Sequence, residues 1–330
     1  MSDCRHILLL ADIHANETAL VAAVCDARKR YQRCGPLRIW FLGDLFGRGP
    51  APAETWRRFM AYRPGLAIAG NHDWGIIGKE RIIRTAGRWD GFFNKYDWKI
   101  ILAHRVELTD VGLLYLVGDE EPRSGQVFEY LKNLPVLCSP CPGVYLVHGG
   151  WGTPQKPQVE RHLNYLVWDY VTRPEDAQLT LSALTWIAEH PSDISELAVS
   201  GNSLEAPRVV LVGHYHRRTL YRGSLGGFEW EDRVRLDYTY ELDPQPERPV
   251  LISPGSVGFP REYHDRDASY AMLCLRENTV CSVTFHKVPF DRAIVRAQMG
   301  EKEYPQEIIR HLQMRDDTQV GRRKSACAQY

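Results

Sequence analysis

No stretch near the start of this chain is long and apolar enough for a signal core or a membrane span. The run Ile7–Ala11 falls far short of either. No sign of charge prevails, since 41 Lys and Arg balance 41 Asp and Glu. That balance removes the global field that would draw the chain to nucleic acid or an anionic membrane. Cysteine is sparse for the length: eight among 330 residues do not make a disulfide scaffold. Reduced thiols and a cytoplasmic location are therefore expected. Cys138 and Cys141 form a CxxC, but no second CxxC exists to complete four thiolates. The segment Cys138–Gly143 reads as a hairpin turn between Pro135–Leu137 and Val144–Val147, carrying two incidental thiols. Internal repeats and long low-complexity linkers are also missing.

What the chain does have is 44% hydrophobic residues, enough for a large core. The expectation is one domain over 1–330, with inserted segments around 74–140, 150–208 and 222–249. A helix is predicted from about Asn16 to Tyr31, with Leu20, Ala23, Val24 and Ala27 on one face and Asn16 as its N-cap. A second should cover Ala53–Tyr62, and further helices Pro157–Val171, Asp176–Glu189 and Tyr304–Met314. Val234, Leu236, Tyr238, Tyr240 and Leu242 alternate with polar residues, the mark of a half-exposed antiparallel strand. Val250–Ser253, Tyr270–Leu275 and Val280–His286 are further strand candidates, and Gly321–Tyr330 a frayed basic tail.

Five short motifs rich in metal-ligand residues follow apolar runs in fixed order. Asp12-Ile13-His14 follows Ile7–Leu10, Gly43-Asp44 follows Ile39–Leu42, and Gly70-Asn71-His72-Asp73 follows Leu66–Ala69. His148-Gly149 follows Val144–Val147, and Gly213-His214-Tyr215-His216 follows Val209–Val212. Short apolar runs bounded by glycine and polar residues suggest buried strands, and open α/β sheets form sites just beyond the carboxyl ends of such strands. Two carboxylates, an amide and several imidazoles are thus delivered to one rim. In an extended chain residues i and i+2 share a side, so Asp12 and His14 can reach one ion, and His214 and His216 one locus.

The chemistry follows from the donor types. A carboxylate such as Asp44, with two oxygens, can bridge two cations. Two dications against two carboxylates leave a residual positive charge that suits a bridging hydroxide and a phosphate ester. Paired ions can stabilise both the attacking and the leaving oxygen of an in-line displacement. Mixed nitrogen and oxygen ligation without thiolate favours Mn, Fe, Co, Ni or Zn, with Mn the first choice in vitro.

The ordered pattern D-x-H, G-D, G-N-H-D, H-G, G-H-x-H resembles that of the calcineurin-like metallophosphoesterases. The segments ADIHAN, GDLFGRGP and SPGSVGFPRE…DRDASYAML are similar to the compact bacterial and archaeal branch. The resemblance implies an α/β fold, a four-layer αββα sandwich with two mixed β-sheets and the metal site at the strand C-terminal ends. It implies a first ion held by Asp12, His14, Asp44 and His216, and a second held by Asp44, Asn71, His148 and His214. His72 matches a residue that is not a ligand but faces the leaving group, with Asp73 oriented to hold it.

Arg48 stands where phosphatase relatives carry a phosphate-gripping arginine, and a planar guanidinium favours a terminal phosphoryl group over a diester. Arg48 and Asn71 are therefore the expected substrate-binding residues. ADIHAN rather than GDIHG, and Asp73 rather than Glu, depart from the protein-phosphatase branch, and Ser253 replaces the usual Asn of the compact branch. The aromatic stretch Trp89–Trp98 is read as packing rather than a lid. His104 is expected at a core edge, and His6, His162, His190, His264, His286 and His311 carry no motif.

The function expected is hydrolysis of a phosphomonoester, either a small molecule or a phosphoprotein. The alternatives are a phosphodiesterase on cyclic nucleotides or other diesters, and a non-catalytic protein-binding scaffold. A scaffold would be expected to lose ligands, whereas every position is intact. Membrane and nucleic-acid partners are not expected, because no basic run tracks phosphates.

Overall fold

Ile7–Leu10 and Arg38–Phe41 pair in parallel, Ile7 opposite Arg38 and Leu10 opposite Phe41, and the first of two sheets grows from this ladder. The computed structural model describes residues 4–79, 93–118, 121–151, 165–191, 198–199, 204–224, 227–231, 233–262 and 266–312. The chain opens as β1 (Arg5–Leu10), α1 (Glu17–Arg30), β2 (Arg38–Phe41), α2 (Pro52–Ala61), β3 (Leu66–Ala67) and α3 (Asn71–Ile77). The next interval carries α4 (Lys95–Asp110), β4 (Tyr115–Val117), β5 (Glu121–Ser124) and α5 (Gln126–Lys132). The hairpin β6 (Leu137–Cys141) and β7 (Val144–Val147) leads to α6 (Tyr165–Trp168), α7 (Pro174–Glu189) and β8 (Ala198–Val199). The strands β9 (Val209–Val212), β10 (Arg218–Ser224), β11 (Gly227–Glu231), β12 (Thr239–Glu241) and β13 (Val250–Pro254) follow. β14 (Ala268–Arg276), β15 (Thr279–Val288), α8 (Arg292–Glu301) and α9 (Gln306–His311) close the described chain.

One sheet runs β12-β15-β14-β1-β2-β3 and the other β11-β10-β13-β9-β7-β6-β8. Each is mixed. β1, β2 and β3 are parallel while β14 meets β1 antiparallel, and β7, β9 and β13 are parallel while β10 runs against β13.

Strand alternation sets the layers. Leu8 and Leu10 of β1 pack with Leu20, Ala23 and Val24 of α1. Ile7 and Leu9 turn the other way, into a core shared with Val209 and Leu211 of β9. Val210 and Val212 of β9 point outward against Ala177, Leu181 and Leu184 of α7. The order is helix, sheet, sheet, helix: the four-layer sandwich expected. Burial of both faces explains why the motif-bearing strands read as continuous apolar runs. α1 begins where Asn16 Oδ1 accepts the Ala19 N–H at 3.1 Å, and ends among Arg28, Lys29 and Arg30, where cations oppose the helix dipole.

Several local expectations need correction. Within Val234–Leu242 only Thr239–Glu241 forms strand, because Asp237 takes a left-handed φ of 56° and breaks the run. Val234 and Tyr240 nevertheless reach the inter-sheet core. Cys138 and Cys141 lie in β6 itself, with a register slip between them, and the turn is the Pro142–Gly143 step at Gly143 φ +70°. The expectation of fully reduced thiols also fails. Cys4 and Cys274 form a disulfide where β1 runs beside β14, which brings their Cα atoms to 5.8 Å, inside the bridging range. The C-terminal helix is shorter than expected and starts after Pro305. Residues 157–164 of the expected helix, residues 89–92 of the aromatic stretch, His162, His264 and the tail 321–330 lie outside the described residues. Among the described residues no helix is long and apolar enough to cross a membrane.

Candidate metal centre

All five motifs emerge at strand C-terminal ends on one rim. β1 delivers Asp12 and His14, β2 Asp44, β3 Asn71, β7 His148, and β9 His214 and His216. The backbone there departs from the extended form assumed from sequence. Asp12, His14, Asp44, His214 and His216 have φ of 54°, 51°, 62°, 62° and 63°. Non-glycine residues in this left-handed region store roughly 1–3 kcal/mol each, a cost found where function over-determines the backbone. Asp12 and His14 thus converge through a left-handed turn rather than by i, i+2 alternation.

The SPGSVGFPR loop braces that turn. Ser256 Oγ donates to Asp12 O at 2.8 Å, and the Val257 and Gly258 N–H groups donate to Ala11 O and Asp12 O, both at 3.0 Å. Asn16 Nδ2 closes the brace onto Gly258 O at 3.0 Å. Gly47 is required by space as well as by its φ of +126°, since a Cβ there would strike His14 Nδ1 and His72 Nδ1.

Two groups of donors form, and Asp44 belongs to both. Asp12, His14, Asp44 and His216 offer ligand atoms that all lie within 4.8 Å of one another, as do Asp44, His148 and His214. Asp44 Oδ2 lies 3.6 Å from His14 Nε2 and 3.4 Å from His148 Nε2. His216 Nε2 is 3.2 Å from Asp12 Oδ1, and Asn71 Oδ1 is 3.2 Å from His148 Nε2. The residues of both groups come from the five sequence motifs, and Asn71 stands beside the second through its contact with His148.

The hydrogen bonding shows that the donors fit cations. Each imidazole spends one nitrogen on a backbone carbonyl: His14 Nδ1 on Phe46 O (3.0 Å), His148 Nδ1 on Leu42 O (2.6 Å) and His216 Nδ1 on Phe259 O (2.6 Å). His214 uses Nε2 instead, on Trp168 O at 2.9 Å. Such bonds fix the tautomer and leave a lone pair on the other nitrogen, the arrangement a metal ligand needs. His14 Nε2 and His216 Nε2 then face each other at 3.0 Å. Two lone pairs at that distance call for a positive charge. Asp44 Oδ1 accepts the His72 N–H at 2.9 Å, while Oδ2 is buried with no hydrogen-bond partner.

The electrostatics agree. Burial pushes the Asp12 carboxyl up to about 6 and raises Asp44 as well. Burial opposes a charge on His148, but Asp44 and Asp12 prevail and lift it to about 9. Burial holds His14, His214 and His216 well below the usual histidine range. Three imidazoles stay neutral beside buried carboxylates, and the carboxylates draw a positive charge onto His148, so the site's own charge calls for a cation.

His72 stands edge-on to His14, ring centres 4.7 Å apart, and its Nδ1 is buried without a partner. The expectation that Asp73 holds His72 is overturned. Asp73 Oδ2 accepts the N–H groups of Asp44 (2.8 Å) and Gly70 (3.0 Å), and Oδ1 those of Leu45 (2.8 Å) and Phe46 (3.3 Å). Both oxygens are committed to the backbone of the Asp44 turn. Phe93, from the aromatic stretch, packs edge-on to both His72 and Trp168, at 5.1 and 5.0 Å, so this part of the stretch lines the site.

Arg48 reaches the rim but is not free. Its Nη2 donates to Asp97 Oδ2 at 2.9 Å, and its guanidinium lies 5.3 Å from the Phe259 ring centre. Asp97, in the first turn of α4, was not foreseen, since only the fold brings α4 to this loop. His104, on the same helix, is fully buried rather than at a core edge. Its Nε2 donates to Gly49 O at 2.8 Å and its Nδ1 accepts the Gly47 N–H at 3.4 Å, which clips the GDLFGRGP loop from both sides. Arg261 and Tyr170 were also missed, although Arg261 sits in the SPGSVGFPR motif. Tyr170 stacks on His214 at 4.2 Å, and Arg261 Nη1 donates to Tyr170 OH at 3.5 Å.

An Asp44 shared by two donor groups, on the rim of an αββα sandwich, defines a metal-dependent hydrolase with a candidate dinuclear centre. The chain belongs to the calcineurin-like phosphoesterase family, whose model matches residues 5–243, and it is a metal-dependent phosphoesterase. An uncharacterized protein of Methanocaldococcus jannaschii is 23% identical over 305 residues, 92% of each chain. The fold is similar to that of a metallophosphoesterase from Sphaerobacter thermophilus, with a TM-score of 0.62 and 24% identity, covering 94% of this chain and 98% of the other. A hypothetical protein of Pyrococcus horikoshii gives a TM-score of 0.55 at 18% identity, with the same coverage.

Proposed function

We propose that the chain is one domain over residues 1–330 that hydrolyses phosphomonoesters, of small molecules or phosphoproteins, in the cytoplasm. In this reading one divalent ion is held by Asp12, His14, Asp44 and His216, and another by Asp44, Asn71, His148 and His214. Manganese is the first choice in vitro, with Fe, Zn, Co or Ni also suited to these donors. The observation that supports the reading is Asp44 Oδ2, buried, unpartnered and within 3.6 Å of ligand nitrogens from both groups. Paired ions at such a site supply Lewis acidity and an activated water for in-line displacement.

The chain's own residues position the rest. His72, packed edge-on to His14 and Phe93, would support the departing oxygen, with Asn71 and Arg48 bordering the substrate. Metal analysis of purified protein, followed by phosphate release from aryl monoesters and diesters with manganese, tests the reading. Fewer than two ions per chain, or no turnover of either ester, defeats it. A diesterase is the second reading, and one contact favours it. Asp97 already opposes the Arg48 charge, which weakens the pull of that guanidinium on a dianion.

A further inference from the structure

Arg261 follows the braced part of the SPGSVGFPR loop. Its N–H donates to His216 O at 3.1 Å, so its backbone is tied directly to a candidate ligand. Its guanidinium lies over the Tyr170 ring at 5.8 Å, and that ring stacks on His214 at 4.2 Å and 17°. The side chain therefore leans from one donor group toward the other. Its charge is felt by Asp12, His14 and His216 of one group and by His214 of the other.

The two arginines of the rim differ in their counter-charges. Arg48 is paired with Asp97 at 2.9 Å and is mostly buried. Arg261 has no acidic partner among the described residues, and its one side-chain hydrogen bond is the 3.5 Å contact to a neutral phenol. Glu262, the acid next in sequence, is taken by Arg218. An arginine on an anion site without a carboxylate to leave can take up a phosphoryl group without stranding a buried charge. Its fork matches two oxygens at once.

We propose that Arg261, resting on Tyr170, grips the non-bridging oxygens of the substrate phosphoryl group and selects dianionic phosphomonoesters over diesters. The proposal rests on the phosphoesterase reading and assigns to Arg261 the selectivity that the sequence had pointed to in Arg48. A monoester dianion has three non-bridging oxygens sharing two charges, whereas a diester has two oxygens sharing one, so the fork gains more from the monoester.

The test compares wild type, Arg261→Ala and Arg261→Lys, each loaded with manganese, on p-nitrophenyl phosphate and bis(p-nitrophenyl) phosphate. Binding of inorganic phosphate is measured separately by calorimetry. Arg261→Ala should lower monoester kcat/KM and weaken phosphate binding at least tenfold, while diester kcat/KM falls severalfold less. Arg261→Lys should recover part of the monoester loss. Metal content and thermal midpoint should match wild type in both variants. Equal losses on the two esters, a full rescue by lysine, or a fall in metal content would overturn the proposal, the last by making Arg261 a brace for His216. The phosphoesterase reading fails separately, if wild type turns over neither ester. Phosphate binding then still reports on Arg261.

Discussion

Asp73 Oδ2 accepts the backbone N–H of Asp44 at 2.8 Å, so the carboxylate that sequence placed beside His72 instead holds the turn that presents the shared ligand. Four N–H groups converge on Asp73. Burial and the neighbouring Asp44 push its carboxyl up to about 7, against the stabilising pull of those donors. The consequence is a division of labour within one motif. Asn71 meets His148, His72 packs edge-on to His14 and Phe93, and Asp73 holds the Asp44 turn.

Asp73→Asn should therefore act through the metal rather than through the leaving group. An amide presents one acceptor oxygen where the carboxylate presents two, so at least one N–H of the turn loses its partner. Residues that orient ligands typically cost about 10–100-fold in metal affinity when replaced. Manganese titration should show a loss in that range, with activity recovered at saturating metal and the same shortfall for every leaving group. A loss confined to poor leaving groups would return Asp73 to the role of partner of His72.

Asp44→Asn removes the charge shared by both donor groups. Buried imidazoles cannot replace it, so metal content should fall below two ions per chain and turnover should become undetectable. Elemental analysis and phosphate release on the same preparation check this. Full occupancy with wild-type activity would falsify the bridging assignment.

His72→Asn should keep both ions, because no ligand atom is lost, and should lower kcat by about 10²–10⁴-fold for esters with poor leaving groups. Esters whose leaving group needs no proton should suffer less. A uniform loss across a leaving-group series would make His72 a positioning residue.

The layers and the donor set were legible because both depend on short-range pattern. Apolar runs such as Val209–Val212 mark buried strands, and Gly213-His214-Tyr215-His216 states its chemistry within four residues. What escaped were contacts made by distant segments. Asp97 meets Arg48 only because α4 packs over the GDLFGRGP loop, and Tyr170 meets Arg261 only because two loops face each other across the rim. Nothing in the local sequence of Asp73 separates bonding to His72 from bonding to the Asp44 turn. The left-handed backbone at Asp12 and His14 was hidden for a related reason, since it is enforced by a loop more than 240 residues away in sequence, through Ser256 and Asp12.

His104 gives the fold a pH dependence of its own. Burial drives its pKa down to about 3, against roughly 6.5 for an unfolded histidine. Between those values the unfolded chain binds a proton that the folded chain does not, so stability falls as pH drops from about 6.5 toward 3 and is unaffected by this group above that window. The slope for one such group is about 1.4 kcal/mol per pH unit. Urea unfolding at pH 7, 6 and 5 should show His104→Gln losing stability less steeply than wild type on the acid side. Identical slopes would remove His104 as a source.

Arg48 and Asp97 make a second, separable prediction about folding. The pair is mostly buried, and Asp97 Oδ1 already lacks a hydrogen-bond partner. Arg48→Ala would leave a carboxylate enclosed with only the Asn94 amide, at 2.7 Å, and its own helix cap to offset its charge. Removing one member of a buried ion pair costs about 3–5 kcal/mol, and the partial exposure of Arg48 places the expectation at the lower end. The double variant Arg48→Ala/Asp97→Ala removes the stranded charge and should regain part of that loss in urea unfolding. If Arg48 also grips substrate, the double variant should stay impaired on p-nitrophenyl phosphate despite its recovered stability. Recovery of monoester turnover along with stability would confine Arg48 to holding the loop, and the selectivity for monoesters would then have to come from Arg261.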